Sequence, residues 1–376
     1  GWYRIHVQGL TDQSNYYGYL QHPDLPDNPM QYLPSQQYSP NMNIWADMIE
    51  FKGHLYVALS SGYMGSALFG SRGAAIWRTD AIEWEPLIGG HEPTAQEKEL
   101  MQAAMVGDLA TVESLIEQGV IPNAHGKYGK STLMFAIEEG NEEVTEYLIS
   151  KGADVNARSI PGCTALTFAA EGGFPEIASL LLAKGAKTYP KTRTGWDALM
   201  FASVYNHVEV MKLLIDAGAN VNTSDKDGMT ALMAASAKGH IEAVKLLLAT
   251  DIDIDVRNKD HGTALMVAAS NGQIEIIKLL VEHGANLNAQ SEDGTTALFW
   301  ASEANQIPAM EFLLKQGINV NHQDIDGSTA VMEAYIQRNF DAATLLYRYG
   351  ADPYIKDNEG LSALDYAKQV YQYDKQ

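Results

Sequence analysis

Cysteine is almost missing from this chain of 376 residues, which contains a single one, Cys163. One cysteine forms no internal disulfide and offers no pair of thiolates for a structural zinc site. Long apolar runs are missing too, since no stretch approaches the length of about 18 residues that a membrane-spanning helix needs. We therefore expect neither a disulfide-stabilised fold nor insertion into a membrane.

Basic residues are scarce relative to acidic ones. The chain has 26 Lys and Arg against 47 Asp and Glu, which gives a formal net charge of −21. A surface this acidic repels phosphate groups, so it disfavours nonspecific binding to nucleic acid or to anionic lipid. Such a charge suits solubility or a basic protein partner, and we expect no nucleic-acid partner.

The sequence contains only partial matches to motifs for cofactor or metal binding. Residues 124–131 nearly match a phosphate-binding loop, but that motif follows a buried strand, and Val120 to Asn123 do not read as one. Residues 251–255 alternate Asp and Ile like the start of a calcium loop, but the Gly and the distal Glu of that loop are missing. We expect no catalytic residues, no cofactor and no metal site. ATP binding is kept only as the test of an enzymatic alternative.

What the chain has instead is a period of 33 residues. One apolar position recurs without a slip at Leu100, Leu133, Leu166, Leu199, Leu232, Leu265, Leu298, Val331 and Leu364. A second column shares the period at Gly107, Gly140, Gly173, Asn206, Gly239, Gly272 and Asn305. A fixed period of roughly 20–50 residues indicates an array of stacked supersecondary units. We number these units from residue 94, so that unit two begins at residue 127 and unit three at residue 160.

Within one unit the pattern predicts two short helices. Thr230 is a suitable N-cap, because its hydroxyl accepts a hydrogen bond from an otherwise unpaired N–H group. Leu232 and Ala235 then fall on one helical face, and Gly239 ends the helix in the left-handed conformation that Gly and sometimes Asn adopt. Residues 241–249 form a second amphipathic helix. Neither helix buries its apolar stripe alone, so each unit must stack on its neighbours.

These units resemble the ankyrin repeat. Residues 228–248 carry Thr-Ala-Leu where that family usually has Thr-Pro-Leu, followed by Ala-Ala, Gly-His and an apolar second helix. The segments 152–156, 218–222 and 284–288 are similar to the family's Gly-Ala-Asp-Val-Asn exit. The resemblance implies a mainly α fold, a solenoid of about eight to nine 33-residue helix-turn-helix units over about 93–376. It also implies a noncatalytic protein–protein interaction scaffold.

The first 92 residues differ in composition. We interpret 1–42 as an extended arm rich in aromatics and proline, and 43–92 as a small β-sheet module. Residues 43–90 resemble a single blade of a kelch-like β-propeller, a fold that normally needs several blades. Thr94 and Glu97 predict a capping box that opens the first helix of the solenoid domain, 93–376.

A lone blade must bury one face against the solenoid, the arm or another subunit. Docking on a neighbouring copy predicts an oligomer, and repeated head-to-tail docking predicts a filament. The alternative function is a ligand- or carbohydrate-binding adaptor that uses the aromatic N-terminal module. An exported location, periplasmic or at the cell surface, is favoured slightly over a cytoplasmic one.

Partners of ankyrin repeats sit on the concave side, which comprises the hairpin tips and the exposed face of each first helix. Large apolar groups flanked by Arg or Lys at these positions are typical of interface hot spots. The predicted protein-binding residues are Tyr128, Arg193, Trp196, Val204, Tyr205, Lys226 and Met229. The alternative is that Trp196 and Tyr205 pack on each other within their own unit.

Two further columns are predicted to fill the core. The first consists of Met134, Met200, Met233 and Met266, and the second of Phe135, Phe168, Phe201 and Trp300. Both recur in phase with the Leu column, and such stripes more often pack inner helices than bind a ligand.

Overall fold

The structure is a computed structural model, which describes residues 2–5, 18–21, 44–51, 54–61, 77–79, 84–86 and 93–373. Before residue 93, after residue 370 and at Lys127, only the backbone is described. Most of the predicted arm, over 6–17 and 22–43, lies outside the described residues. The same holds for residues 62–76.

The residues described before the solenoid form the strands β1 Trp2–Ile5, β2 Gly18–Gln21, β3 Ile44–Phe51, β4 His54–Ser61, β5 Trp77–Thr79 and β6 Trp84–Pro86. All described pairings are antiparallel, and they form two three-stranded sheets of order β2-β1-β6 and β3-β4-β5. Because β6 pairs with β1 rather than with β5, these strands do not reproduce one four-stranded blade. The likeness to a kelch-like blade is therefore not supported, and the small β-sheet module stays a prediction.

Helical pairs fill the rest of the described chain, with a first and a second helix in each unit. The first helices are α1 Ala95–Val106, α3 Thr132–Glu138, α5 Ala165–Gly172, α7 Ala198–Val204, α9 Ala231–Lys238, α11 Ala264–Ser270, α13 Ala297–Glu303, α15 Ala330–Ile336 and α17 Ala363–Tyr373. The second helices are α2 Leu109–Glu117, α4 Glu142–Ser150, α6 Pro175–Ala183, α8 Val208–Asp216, α10 Ile241–Leu248, α12 Ile274–Glu282, α14 Ile307–Lys315 and α16 Phe340–Arg348. First helices pack on first helices of the next unit, and second helices on second helices. Among the described helices, none has the length and apolar character that crossing a bilayer requires.

The apolar column lies in the core that these helices share. From Leu100 to Val331 its eight members are at most 1% exposed, whereas Leu364 in α17 is 36% exposed. One continuous apolar cluster runs from unit one to unit nine. The 33-residue phase is therefore confirmed, because a phase error would have placed these side chains on the surface.

Helix ends follow the predicted chemistry. The Thr230 hydroxyl accepts from the Met233 N–H at 3.2 Å, and Thr94 and Glu97 form the reciprocal capping box. Asn206 has φ of 60° where neighbouring units have Gly, so it takes the left-handed conformation that ends α7. These caps satisfy N–H and C=O groups that would otherwise be left without a partner.

Between the second helix of one unit and the first helix of the next lies a hairpin, and successive hairpins are bonded to each other. At the tips, seven backbone N–H groups donate to a carbonyl of the preceding tip at 2.7 to 3.1 Å, and the donors are Ile160, Arg193, Lys226, Lys259, Glu292, Ile325 and Asn358. Such a ladder holds the tips in a fixed register, so that side chains 33 residues apart stand side by side.

Candidate functional site: the concave face

The hairpin tips and the exposed sides of the first helices form one continuous face, which we call the concave face. The tips are fixed by the backbone ladder, and the first helices are fixed by the core below them. Side chains on this face therefore stand on a rigid support. A rigid support lowers the entropy cost of binding.

Trp196 stands at the base of the hairpin between α6 and α7 and is half-buried. Its indole N–H donates to Asp225 Oδ2 at 3.0 Å, in the next hairpin along the chain. Its ring packs edge-on against Phe201, with 5.2 Å between ring centroids. Trp196 therefore contacts Phe201 rather than Tyr205, and its orientation is set by neighbours on two sides.

Asp225 organises the next tip through the other oxygen of the same carboxylate. Its Oδ1 accepts from the N–H groups of Asp227 at 2.8 Å and Met229 at 2.9 Å. The half-buried Met229 side chain packs against the core, and its sulfur accepts from Asn258 Nδ2 at 3.7 Å. One carboxylate thus places both Trp196 and Met229.

Tyr205 and Val204 lie at the end of α7. Tyr205 is 49% exposed, and its ring stacks on the His207 ring with 6.1 Å between centroids. Val204 is half-buried, and its carbonyl accepts from His240 Nε2 at 2.8 Å. This bond joins α7 to the following unit. Of this pair, Tyr205 is the more open to a partner.

The other three predicted residues lie at hairpin tips. Tyr128 is 60% exposed and has φ of 61°, a left-handed conformation that is uncommon for a bulky residue. Its carbonyl accepts from the Ile160 N–H at 2.7 Å, so the tip ladder holds this conformation. Arg193 and Lys226 are exposed, and their N–H groups continue the same ladder. The seven predicted residues thus lie in hairpins or at the end of α7, within units two, four and five.

The matches to known protein families fall within the helical part of the chain. Residues 100–192, 187–260 and 251–324 match the family described as ankyrin repeats (3 copies), and residues 313–367 match ankyrin repeats (many copies). The chain belongs to the ankyrin repeat family. Ankyrin repeats generally mediate protein–protein interaction, and proteins built from them are typically non-enzymatic. A comparison with curated proteins finds no match.

The aromatic column of this ankyrin repeat protein is less buried than predicted. Met134, Met200, Met233 and Met266 are at most 1% exposed, which confirms the methionine column as core. Phe135, Phe168, Phe201 and Trp300 are only half-buried, so they belong to the concave face as well as to the packing below it. These residues lie one position beyond the buried methionine phase in the first helix, so their side chains are rotated by about 100° from it.

A lysine lies between two of these rings. The ammonium of Lys130 is 4.7 Å from the centroid of Phe135 and 4.6 Å from that of Phe168, and it pairs with Glu138. The pKa of Glu171 is raised by partial burial and by the nearby Glu138, although Lys130 opposes this. Sequence reasoning missed this cluster, because its members come from two units and meet only when the units stack.

The incomplete motifs take structural roles in this ankyrin repeat protein. In the calcium-like segment, Asn222 Nδ2 donates to the Asp251 carbonyl, and the Asp253 N–H donates back to Asn222 Oδ1. The segment 124–131 is a hairpin in which the Gly126 N–H donates to the Lys130 carbonyl, and Ser131 caps α3. Groups of three or more His, Cys, Asp or Glu placed to hold a metal ion are not found among the described residues.

Proposed function

We propose that this chain is a noncatalytic scaffold which binds a protein partner along the concave face of units two to five. The observation that carries the proposal is that Tyr128 and Tyr205 expose 60% and 49% of their surface on a rigidly bonded support. Large exposed aromatics cost little conformational entropy on binding and are enriched at interface hot spots. Trp196, Met229, Arg193 and Lys226 flank them and complete a mixed apolar and basic surface.

A displayed random-peptide library provides the test, because it needs no known partner. Peptides selected on the whole chain are measured against the double variant Tyr128→Ala with Tyr205→Ala. We expect binding to weaken by at least about tenfold, the effect of losing about 1.4 kcal/mol. The melting temperature should change little, since both rings are largely exposed.

Tyr354→Ala is the matched control for that test. Tyr354 is 73% exposed but lies outside the proposed surface, in unit eight. Its removal should leave the selected peptides bound as tightly as before. Equal binding by the wild type and the double variant would contradict the concave-face assignment.

A finer part of the proposal is that copies of the chain assemble head-to-tail through the arm, 1–42, and the β-sheet module, 43–92. Strand edges and aromatic residues near the N-terminus favour it: four of the six Trp and eight of the 19 Tyr precede residue 91. Light scattering after size exclusion should show a mass that rises with protein concentration. A strict monomer at high concentration would count against assembly.

The same aromatic richness favours the alternative of a carbohydrate-binding adaptor, since exposed Trp and Tyr rings stack on sugars. A glycan array separates the two. A glycan signal that disappears when residues 1–92 are deleted would support the adaptor, whereas self-assembly without glycan binding would support the scaffold.

A further inference from the structure

One hairpin of this acidic protein is strongly basic. Residues 177–196 contain no Asp or Glu, although the whole chain carries a net charge of −21. The same stretch contains four cations, all of them exposed: Lys184, Lys187, Lys191 and Arg193. We call residues 184–193, between α6 and α7, the basic hairpin. A local reversal of charge on an otherwise acidic surface indicates a place where an anion is received.

Two cations, Lys191 of this hairpin and Arg158 of the preceding hairpin, form hydrogen bonds with neutral groups. The Arg158 guanidinium donates to the carbonyls of Gly162 and Lys191, and Lys191 Nζ donates to the Ser224 carbonyl at 2.8 Å. Among the described residues, neither forms an ion pair with a carboxylate, although Lys191 lies near enough to the buried Asp197 to influence it. Hydrogen bonds thus hold both side chains in position before a partner binds, and their positive charge is largely available to an anionic group of that partner.

An exposed tyrosine interrupts a structural column at the same hairpin. At Asn123, Asn156, Asn222 and Asn321, the Asn side chain donates to a carbonyl of the next hairpin and accepts from an N–H two residues further on. Tyr189 occupies this column position, is 70% exposed and makes neither bond among the described residues. The Lys187 ammonium lies 5.8 Å from the centroid of its ring.

Comparison with the Asn residues of this column shows which hydrogen bonds between units are missing at Tyr189. An Asn at this position offers the groups for two hydrogen bonds between units, and both bonds form at four of the five Asn positions of the column. Tyr189 forms neither bond among the described residues, and it places a large ring in solvent near Lys187. A position that loses stability and exposes an aromatic group is a candidate for binding rather than for folding.

We infer that the basic hairpin, with Tyr189 at its centre, binds an acidic linear segment of the partner protein. The inference rests on the proposed scaffold function and names the chemistry of what is bound. A short segment meets only the local field, because charges further away than about 8 Å are screened at physiological salt. A long polyanion such as nucleic acid would also meet the acidic remainder of the surface, which repels it.

The first test uses a defined probe, a short fluorescein-labelled peptide of alternating Glu and Tyr, followed by fluorescence anisotropy. The whole chain should bind this peptide and should bind the matching Lys-Tyr peptide more weakly by at least about tenfold. Lys184→Glu with Lys187→Glu should weaken binding of the Glu-Tyr peptide by at least about tenfold, and added salt should weaken it further.

Lys212→Glu with Lys245→Glu is the matched control, because it changes net charge equally at exposed lysines of the second helices α8 and α10. Binding of the Glu-Tyr peptide should survive in this variant. Equal weakening in both double variants would overturn the inference, since it would reduce the effect to overall charge.

The second test separates binding from folding. Tyr189→Asn should raise the melting temperature by restoring the column bonds, and it should weaken binding of the Glu-Tyr peptide. Tyr354→Asn is the control at the same phase of unit eight, and it should not alter peptide binding. Unchanged binding in Tyr189→Asn would overturn the role of the tyrosine.

The same measurements separate failure of this inference from failure of the scaffold proposal. If library-selected peptides bind the concave face but the Glu-Tyr peptide does not bind the wild type, the basic hairpin is overturned and the scaffold stands. The basic hairpin is likewise overturned, and the scaffold stands, if peptide binding is abolished by Tyr128→Ala with Tyr205→Ala but not by Lys184→Glu with Lys187→Glu. If neither double variant affects any bound peptide, both proposals are overturned.

Discussion

At the residue scale, burial separates the positions that hold the units together from those that face a partner. The Leu column from Leu100 to Val331 and the methionine column are buried, whereas the aromatic column one residue further along is half-buried. A change of one residue in a helix rotates the side chain by about 100°, which is enough to move it from the core to the concave face. Sequence phase therefore predicts burial well only where both sides of the helix are covered.

Leu232 tests the phase at a single position. Leu232→Ala should lower the free energy of unfolding by about 2–5 kcal/mol, because it removes a side chain that is 1% exposed and leaves a cavity. Urea unfolding measures the change. Leu364→Ala, at the same phase but 36% exposed, should cost clearly less. A cost near zero at Leu232 would mean that the helical phase is wrong.

Asp197 makes stability depend on pH in a direction opposite to that of an ordinary capping carboxylate. It is 4% exposed and caps α7 by accepting from the Met200 N–H at 3.0 Å, at the position where Thr230 caps α9. Burial raises the pKa of Asp197 above its ordinary value, although the cap bond and Lys191 oppose this. The folded state thus holds the proton more tightly than the unfolded state does.

Because the folded-state pKa is raised, the stabilisation that Asp197 gives to folding is fully present below about pH 4, the pKa of an unfolded Asp. This stabilisation is lost as pH rises through the folded-state pKa. Asp197→Thr replaces the capping carboxylate with a hydroxyl, which can still accept the Met200 N–H but does not titrate in this pH range. Its free energy of unfolding should therefore improve relative to wild type as pH rises from about 4 to about 7. A difference that stays constant over this range would show that the Asp197 pKa is not raised.

At the element scale, helix ends were predictable and contacts between units were not. Thr230, Gly239 and Asn206 act through their own turn of backbone, so local rules are sufficient for them. The bond from Trp196 to Asp225 joins residues 29 apart in sequence, and it exists only because two hairpins stand side by side. Tyr189 was not predicted, because the role of the Asn column that it interrupts becomes evident only from hydrogen bonds between hairpins.

Asp255 offers a test of the hairpin column. It occupies the Asn phase, and its carboxylate accepts from the Asn286 N–H at 3.1 and 3.2 Å, but it has no N–H to donate to the Gly284 carbonyl. Asp255→Asn supplies that donor and should raise the free energy of unfolding by about 0.5–1.5 kcal/mol. The reverse change, Asn222→Asp, should lower it by a similar amount, because Asn222 makes both bonds. Loss of stability in Asp255→Asn would contradict this account of the column.

At the scale of the whole molecule, the 33-residue period predicted the solenoid and its helical units, because each unit repeats one packing problem. The period says nothing about the first 92 residues, whose strands pair across 80 residues of sequence, Arg4 with Glu85 among them. It also does not single out a partner surface, since every unit has a tip. That surface emerged from departures from the repeat: Tyr128, Trp196, Tyr205 and above all Tyr189.

The central claim is that a partner segment lies along the hairpin tips and first helices of units two to five. Hydrogen-exchange mass spectrometry on the whole chain, with and without a library-selected peptide, tests it most directly. The account predicts slower exchange in peptides covering residues 126–130, 158–163, 184–196 and 225–229, with no change over the second helices. Protection confined to the second helices would contradict it.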